Sequence, residues 1–208
     1  PWDRRIDLVV LTHPQADHLS GLVDLTERYR VGQVLTAGGP ADSAASRAWA
    51  DALRAARVPV LPAAPDTALD LGGGATLTVL AAGPVPGSTN PNDTGVALRL
   101  DYGRTSVLLP GDREEPGLRH LLAQVPDLRA TVLAAPHHGA RSAALPDLLA
   151  AVRPEAVVIS VGRDNPFGHP HPETLAALAG VPLYRTDLHG AVTVTLDGAS
   201  VRVGTERR

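Results

Sequence analysis

Apolar positions along this chain follow two rhythms. Short runs at Ile6 to Leu11, Val58 to Ala64, Leu69 to Leu71, Ala75 to Leu80, Val96 to Asp101, Thr105 to Leu109, Thr131 to Ala134 and Ala156 to Val161 predict strands. So do Leu183 to Arg185, Ala191 to Leu196 and a short stretch around Val34. Helical spacing takes over from Leu19 to Tyr29, where Leu19, Leu22, Val23 and Leu25 form one stripe. A second helix is predicted from a cap at Asp42 and Ser43 to about Arg57, with Trp49, Leu53 and Ala56 on one side. Further helices are expected over Pro116 to Gln124, Leu145 to Val152 and Glu173 to Ala179. Gly72-Gly73-Gly74 is followed by a strand, so it reads as a hairpin turn and not as a phosphate loop at a helix start. Turns are also expected at Tyr102-Gly103-Arg104 and at Asp187 to Gly190.

Strands that alternate with helices but also return as hairpins predict an α/β fold of mixed sheets with helices packed outside. No linker, low-complexity tract or repeat divides the chain, so one domain spanning 1–208 is expected. A length of 208 residues with 44% apolar content can bury a sizeable core. Cysteine is absent, which excludes disulfides, thiolate metal sites and a thiol nucleophile. The basic residues are all Arg, and the net charge of -3 does not make the chain a polycation for nucleic acid. No apolar run approaches the roughly 20 residues of a bilayer span. A charged-then-apolar leader is not seen at the start either, so the chain is expected to be soluble as given.

The chemistry concentrates where apolar runs end. The first run leads into Thr12-His13-Pro14-Gln15-Ala16-Asp17-His18, which places three metal-ligating side chains within six residues. Two imidazoles and a carboxylate suit Zn²⁺ or Mn²⁺. The plainer reading is a polar loop with Asp17 as a helix cap. Asp112 follows another strand, His137 and His138 a third, and a fourth leads to His169 and His171. Six of the eight histidines lie in these loops, with only His120 and His189 outside them. Strand ends that converge on one edge would gather these groups, and a carboxylate such as Asp112 could then bridge two cations and acidify a water.

Thr12 to Leu22 resembles the first metal motif of the metallo-β-lactamase superfamily, and most closely the hydrolase-like domain of the ComEC/Rec2 competence proteins. Further landmarks of that branch follow in order. They are Asn92-Asp93-Thr94, Leu108-Leu109-Pro110-Gly111-Asp112, Pro136-His137-His138-Gly139-Ala140-Arg141-Ser142, Ala156 to Gly162, Asn165-Pro166-Phe167-Gly168-His169-Pro170 and Tyr184 to Asp187. The resemblance implies an αββα sandwich of two mixed sheets with metals at one rim. By position, His13 would ligate one metal, Asp17 and His18 the second, and Asp112 both. Of His137 and His138 one would be the later ligand, with His138 favoured and the other contacting a phosphate. His169 would bind substrate or move a proton, and Asn92 stands where a further His ligand is usual. Asp17, Asp112, His137 and His169 are thus the catalytic candidates. Asn92, Ser142 and Arg141 are the substrate-binding ones, with Arg163 and Arg185 also near the rim.

Two departures qualify this picture. Gln15 replaces a residue that is usually His, or Asp in this branch, so one tight site and one weak or empty site are expected. The chain also starts five residues before the first apolar run, where the family has an earlier strand pair, and it reads as lacking those strands. The implied function is a metal-dependent phosphodiesterase acting on DNA during uptake. It would work beside a membrane channel domain of the parent protein, on the extracytoplasmic side. A degenerate DNA-binding or channel-associated module and a hydrolase of a smaller phosphodiester are the alternatives. Aromatic residues make up only 3% of the chain, so base-specific recognition is not expected.

Overall fold

A computed structural model describes residues 4–38 and 43–207. Strand β1 (Arg5–Leu11) leads through helix α1 (Ala16–Arg28) to β2 (Arg30–Thr36), and α2 (Ala44–Ala56) leads on to β3 (Val60–Pro62). These strands form one sheet in the order β1-β2-β3. Both pairings are parallel, so this smaller sheet is not mixed as expected. The reason is its connections: each passes through a helix, and a helical crossover returns the chain in the same direction.

The second sheet has seven strands. Strands β4 (Ala68–Gly72), β5 (Ala75–Ala81), β6 (Ala97–Tyr102) and β7 (Thr105–Leu109) pair antiparallel, with the triple glycine turning β4 into β5. From β7 the chain crosses through α3 (Glu115–Gln124) to β8 (Val132–Ala134), and through α4 (Leu145–Val152) to β9 (Ala156–Ile159). It then passes through α5 (Pro172–Ala177) to β10 (Leu183–Arg185). These last four strands pair parallel, which makes the sheet mixed. The turn expected at 187–190 is instead a short helix, α6 (Thr186–His189). Strand β11 (Val192–Leu196) pairs with the final strand β12 (Val201–Thr205), which the apolar pattern did not announce, in a separate hairpin.

Alternation along the strands sorts the core into three layers. Leu8 and Val10 of β1 meet Leu77, Val79 and Leu98 of the large sheet. Val9 and Leu11 point the other way, onto Leu19 of α1 and Trp49 and Leu53 of α2. On the far side, Leu108, Leu133, Val157 and Ile159 pack against Leu118 and Leu121 of α3 and Leu145 and Leu148 of α4. Two sheets face to face with helices outside give the αββα sandwich, because the central strands have apolar residues on both sides to bury.

Helix α1 begins at Ala16, three residues earlier than predicted, and Gln15 occupies the cap position with no side-chain bond. Asp17 is therefore not the cap. It lies with His18 in the first turn, where the helix dipole favours a carboxylate. Helix α2 is capped by Ser43, whose Oγ accepts from Ser46 N at 2.9 Å; the expected partner cap, Asp42, lies outside the described residues. Removing this hydroxyl orphans a helix donor, so Ser43→Ala is expected to lower stability by about 1 kcal/mol in urea denaturation.

Candidate metal centre

Strands β7, β8 and β9 run parallel, so their carboxyl ends share one edge of the large sheet. The loop after β7 presents Asp112, the loop after β8 presents His137 and His138, and the loop after β9 leads to His169. The smaller sheet contributes the end of β1. A hydrogen bond from Val96 N to Thr12 O at 3.0 Å stitches that end to the start of β6. Another, from His137 N to Gly111 O at 3.1 Å, ties the β7 and β8 loops together.

The result is a cluster in which ligand atoms of Asp17, His18, Asp112 and His138 all lie within 4.8 Å of one another. Asp112 is at its centre. His18 Nε2 donates to Asp112 Oδ2 at 2.9 Å, and His138 Nε2 lies 3.4 Å from the same oxygen. Asp17 Oδ2 lies 3.5 Å from His18 Nε2. The far nitrogen of His138, Nδ1, donates to the Ser160 carbonyl at 2.8 Å, which fixes the ring and aims Nε2 into the cluster.

His13 borders this cluster. Its ring centroid lies 4.2 Å from that of His18, and its Nε2 is 3.9 Å from Asp112 Oδ2. The side chain is 1% exposed, yet Nε2 has no hydrogen-bond partner. A buried nitrogen lone pair without a partner is costly in a folded protein, and a cation accounts for it. Imidazole and carboxylate donors converging from the ends of three strands fit a divalent metal by their chemistry.

The electrostatics agree. Burial alone would push the Asp112 carboxyl up, but hydrogen bonds from His138 and His18 override it and hold the group far below the usual carboxylate range. The Asp112 carboxylate in turn raises the imidazoles of His18 and His138. Burial pushes His13 down, assisted by the neighbouring His18. A bound cation would compete with protons for the ring nitrogens of His18 and His138.

Backbone geometry marks the same place. His137 and His138 both adopt positive φ, at 45° and 55°, in a 3₁₀ turn over Pro136–Gly139. Such conformations cost roughly 1–3 kcal/mol each in side-chain-bearing residues and cluster at functional sites. His137 Nδ1 is buried without a hydrogen bond, 3.5 Å from Glu114 Oε1. Glu114 also accepts from Asn92 Nδ2 at 3.1 Å, which leaves Asn92 Oδ1 buried and unpartnered. Glu114 was not singled out from the sequence. Its signal was present, as a carboxylate two residues after Asp112 in the same loop.

The remaining candidates fall into two groups. The His169 ring lies 5.7 Å from His137, and its Nδ1 is buried and unpartnered. Burial pushes its imidazole down, with His137 adding to the effect. The residues Arg141, Ser142, Arg185 and His171 have other partners. Arg141 pairs with Glu173 at 2.7 Å, Ser142 Oγ accepts from Ala144 N at 3.3 Å, and Arg185 forms a double hydrogen bond to Asp187. His171 Nδ1 accepts from Glu173 N at the start of α5.

A family model for the metallo-beta-lactamase superfamily matches residues 3–163. The chain belongs to that superfamily. Among curated relatives, ComE operon protein 3 of Bacillus subtilis (strain 168) is 24% identical over 191 residues. That match takes in 91% of this chain and 24% of the relative. Competence protein ComA of Neisseria gonorrhoeae is 32% identical over 114 residues, which are 53% of this chain and 16% of that protein. The chain thus spans about a quarter or less of the length of these relatives. Among solved structures, CmlA, a diiron beta-hydroxylase from Streptomyces venezuelae, superposes with a TM-score of 0.57 at 16% identity. It covers 88% of this chain and 44% of its own, a likeness of fold. Superfamily membership and the His/Asp cluster together support a metallo-hydrolase with a divalent metal. Among the described residues, no helix is long and apolar enough to cross a membrane.

Proposed function

We propose that this metallo-beta-lactamase domain is a phosphodiesterase that acts on DNA as the hydrolytic part of a longer competence protein. The observation that carries the reading is the convergence of Asp17, His18, Asp112 and His138 beside the orphaned Nε2 of His13. The likeness to a competence protein, together with the resemblance of the motifs to the ComEC/Rec2 branch, supports DNA as the substrate class. His13, Asp17, His18, Asp112 and His138 would hold the metal, with Asp112 shared at the centre. A divalent cation bound there acidifies water and offsets negative charge that develops on a phosphoryl group.

The chain's own side chains do the rest. His138 is kept in one orientation by the Ser160 carbonyl, so its Nε2 does not swing away from the site. His169, whose imidazole burial pushes down, takes up or relays a proton at its unpartnered Nδ1. His137, which faces Glu114, would contact a phosphate oxygen. Gln15 and Asn92 are amides where stronger ligands are usual, so a second cation would be held weakly, with Mn²⁺ or Mg²⁺ better suited than Zn²⁺.

The test is metal content together with cleavage. Purified protein saturated with Zn²⁺ or Mn²⁺ and then desalted is expected to retain about one equivalent of metal per chain. With Mn²⁺ added it is expected to cut a labelled oligonucleotide, and a chelator should stop the cutting. A chain that retains no metal overturns the hydrolase reading in favour of a degenerate module. A chain that hydrolyses a small model diester but leaves DNA intact moves the substrate to a smaller molecule.

A further inference from the structure

Beside the metal cluster lies a cleft of about 390 Å³ lined by Asp17, His138, Val161, Gly162, Phe167 and His169, among others. Phe167 is the single phenylalanine of the chain and is 77% exposed. Its ring stacks on His169, with centroids 6.1 Å apart and planes tilted by 23°.

The loop that carries Phe167 is held rigidly. Asn165 Oδ1 accepts from Phe167 N at 3.2 Å and from His169 N at 3.1 Å. Its Nδ2 donates to His169 O at 2.7 Å and to Gly162 O at 3.1 Å. One side chain therefore uses both its donors and both its acceptor sites to fix the loop on either side of the aromatic ring. The loop thereby holds the ring against His169 and open to the cleft beside the cluster. Two polar groups of the cleft wall on the Phe167 side are already engaged. The Ser160 carbonyl is taken by His138, and Thr186 Oγ1 bonds the backbone of Val161. What the wall offers is a flat apolar face next to the cluster.

We infer that Phe167, stacked on His169, is a platform for a nucleobase next to the scissile phosphate, and that the substrate is single-stranded. The inference rests on the phosphodiesterase reading above. Duplex DNA keeps its bases stacked on one another and out of reach of such a platform. Stacking on an aromatic face accepts any base, so the platform gives dependence on a base without preference among bases.

The experiment measures equilibrium binding, so that it reads separately from cleavage. Fluorescence anisotropy of Mn²⁺-loaded full chain compares three phosphorothioate probes: a single-stranded oligonucleotide, its abasic counterpart and a blunt duplex. The base-bearing strand is expected to bind about 10-fold more tightly than the abasic strand, and more tightly than the duplex. That ratio is expected to fall close to one in Phe167→Leu, which keeps an apolar side chain but loses the ring, and to persist in Phe167→Trp. A melting temperature of Phe167→Leu within a degree or two of wild type excludes misfolding as the cause. An unchanged ratio in Phe167→Leu overturns the platform, as does duplex binding equal to single-strand binding or no binding of any probe. Failure of cleavage with the ratio intact overturns the hydrolase assignment and leaves the platform standing.

Discussion

Asp112→Asn is expected to abolish metal-dependent hydrolysis, lowering the rate by about 10³-fold or more, and to lose most of the bound metal. The substitution keeps shape and size but replaces a doubly accepting carboxylate with a neutral amide. In the protein as it stands, Asp112 Oδ2 lies within 4 Å of nitrogens from His13, His18 and His138, so one oxygen serves three rings. Asp112 is 5% exposed. Metal analysis and a melting curve measure the effect independently of turnover. Wild type is expected to melt at higher temperature when Mn²⁺ is added, by mass action on the native state, whereas Asp112→Asn is expected to respond little. Metal uptake is also expected to tighten as pH rises through the raised values of His18 and His138, because both rings must release protons to bind. Equal metal content and equal cleavage in wild type and variant would show that the activity arises elsewhere.

The largest expected loss of stability lies just behind the site. Asp93 is fully buried, and its Oδ1 accepts from Glu114 N at 2.9 Å and Gly117 N at 3.0 Å, the first donors of α3. Its other oxygen accepts from Ser88 Oγ at 2.6 Å. A carboxylate from a distant turn thus caps α3, and it does so beside Arg113, which is 1% exposed. The Arg113 guanidinium donates to the carbonyls of Asp93 and Gly95, both at 2.6 Å. Burial lowers its pKa to about 10, with the Asp93 charge opposing that, so it stays charged at neutral pH. Asp93→Ala leaves this charge buried without its counter-charge and strips two helix donors of their acceptor. A loss of about 3–5 kcal/mol is expected. That is a large share of the roughly 5–15 kcal/mol that holds a domain together. Asp93→Asn keeps an acceptor oxygen and should cost less. The double substitution Asp93→Ala with Arg113→Leu removes both charges, and is expected to recover part of the loss in urea denaturation. A midpoint for Asp93→Ala within error of wild type would refute the coupling.

Close packing at this corner also explains one glycine. A Cβ at Gly117 would collide with Asp93 Oδ1. The residue is small because the capping carboxylate needs the space, a requirement set by a partner 24 positions away.

The sequence by itself determined the strands and helices, for a local reason. A run such as Ile6 to Leu11 or Leu145 to Val152 carries its period in adjacent residues. Elements with a weak local signal were lost or shifted. Val201–Thr205 was missed because only two apolar residues, Val201 and Val203, carry its alternation, and α1 began early because the polar Asp17 and His18 belong to its first turn. The metal-ligating residue types, and the family resemblance that grouped them, were also present in the sequence. Tertiary structure decided which of them meet. Parallel pairing of β7, β8 and β9 placed Asp112 and His138 together, while the contact between the two sheets brought in His13 and His18. It also turned His171, Ser142 and Arg141 to other partners and recruited Glu114 and Phe167, whose surroundings come from residues far off in the chain. Periodicity is a property of neighbours in sequence, but a ligand set is a property of neighbours in space.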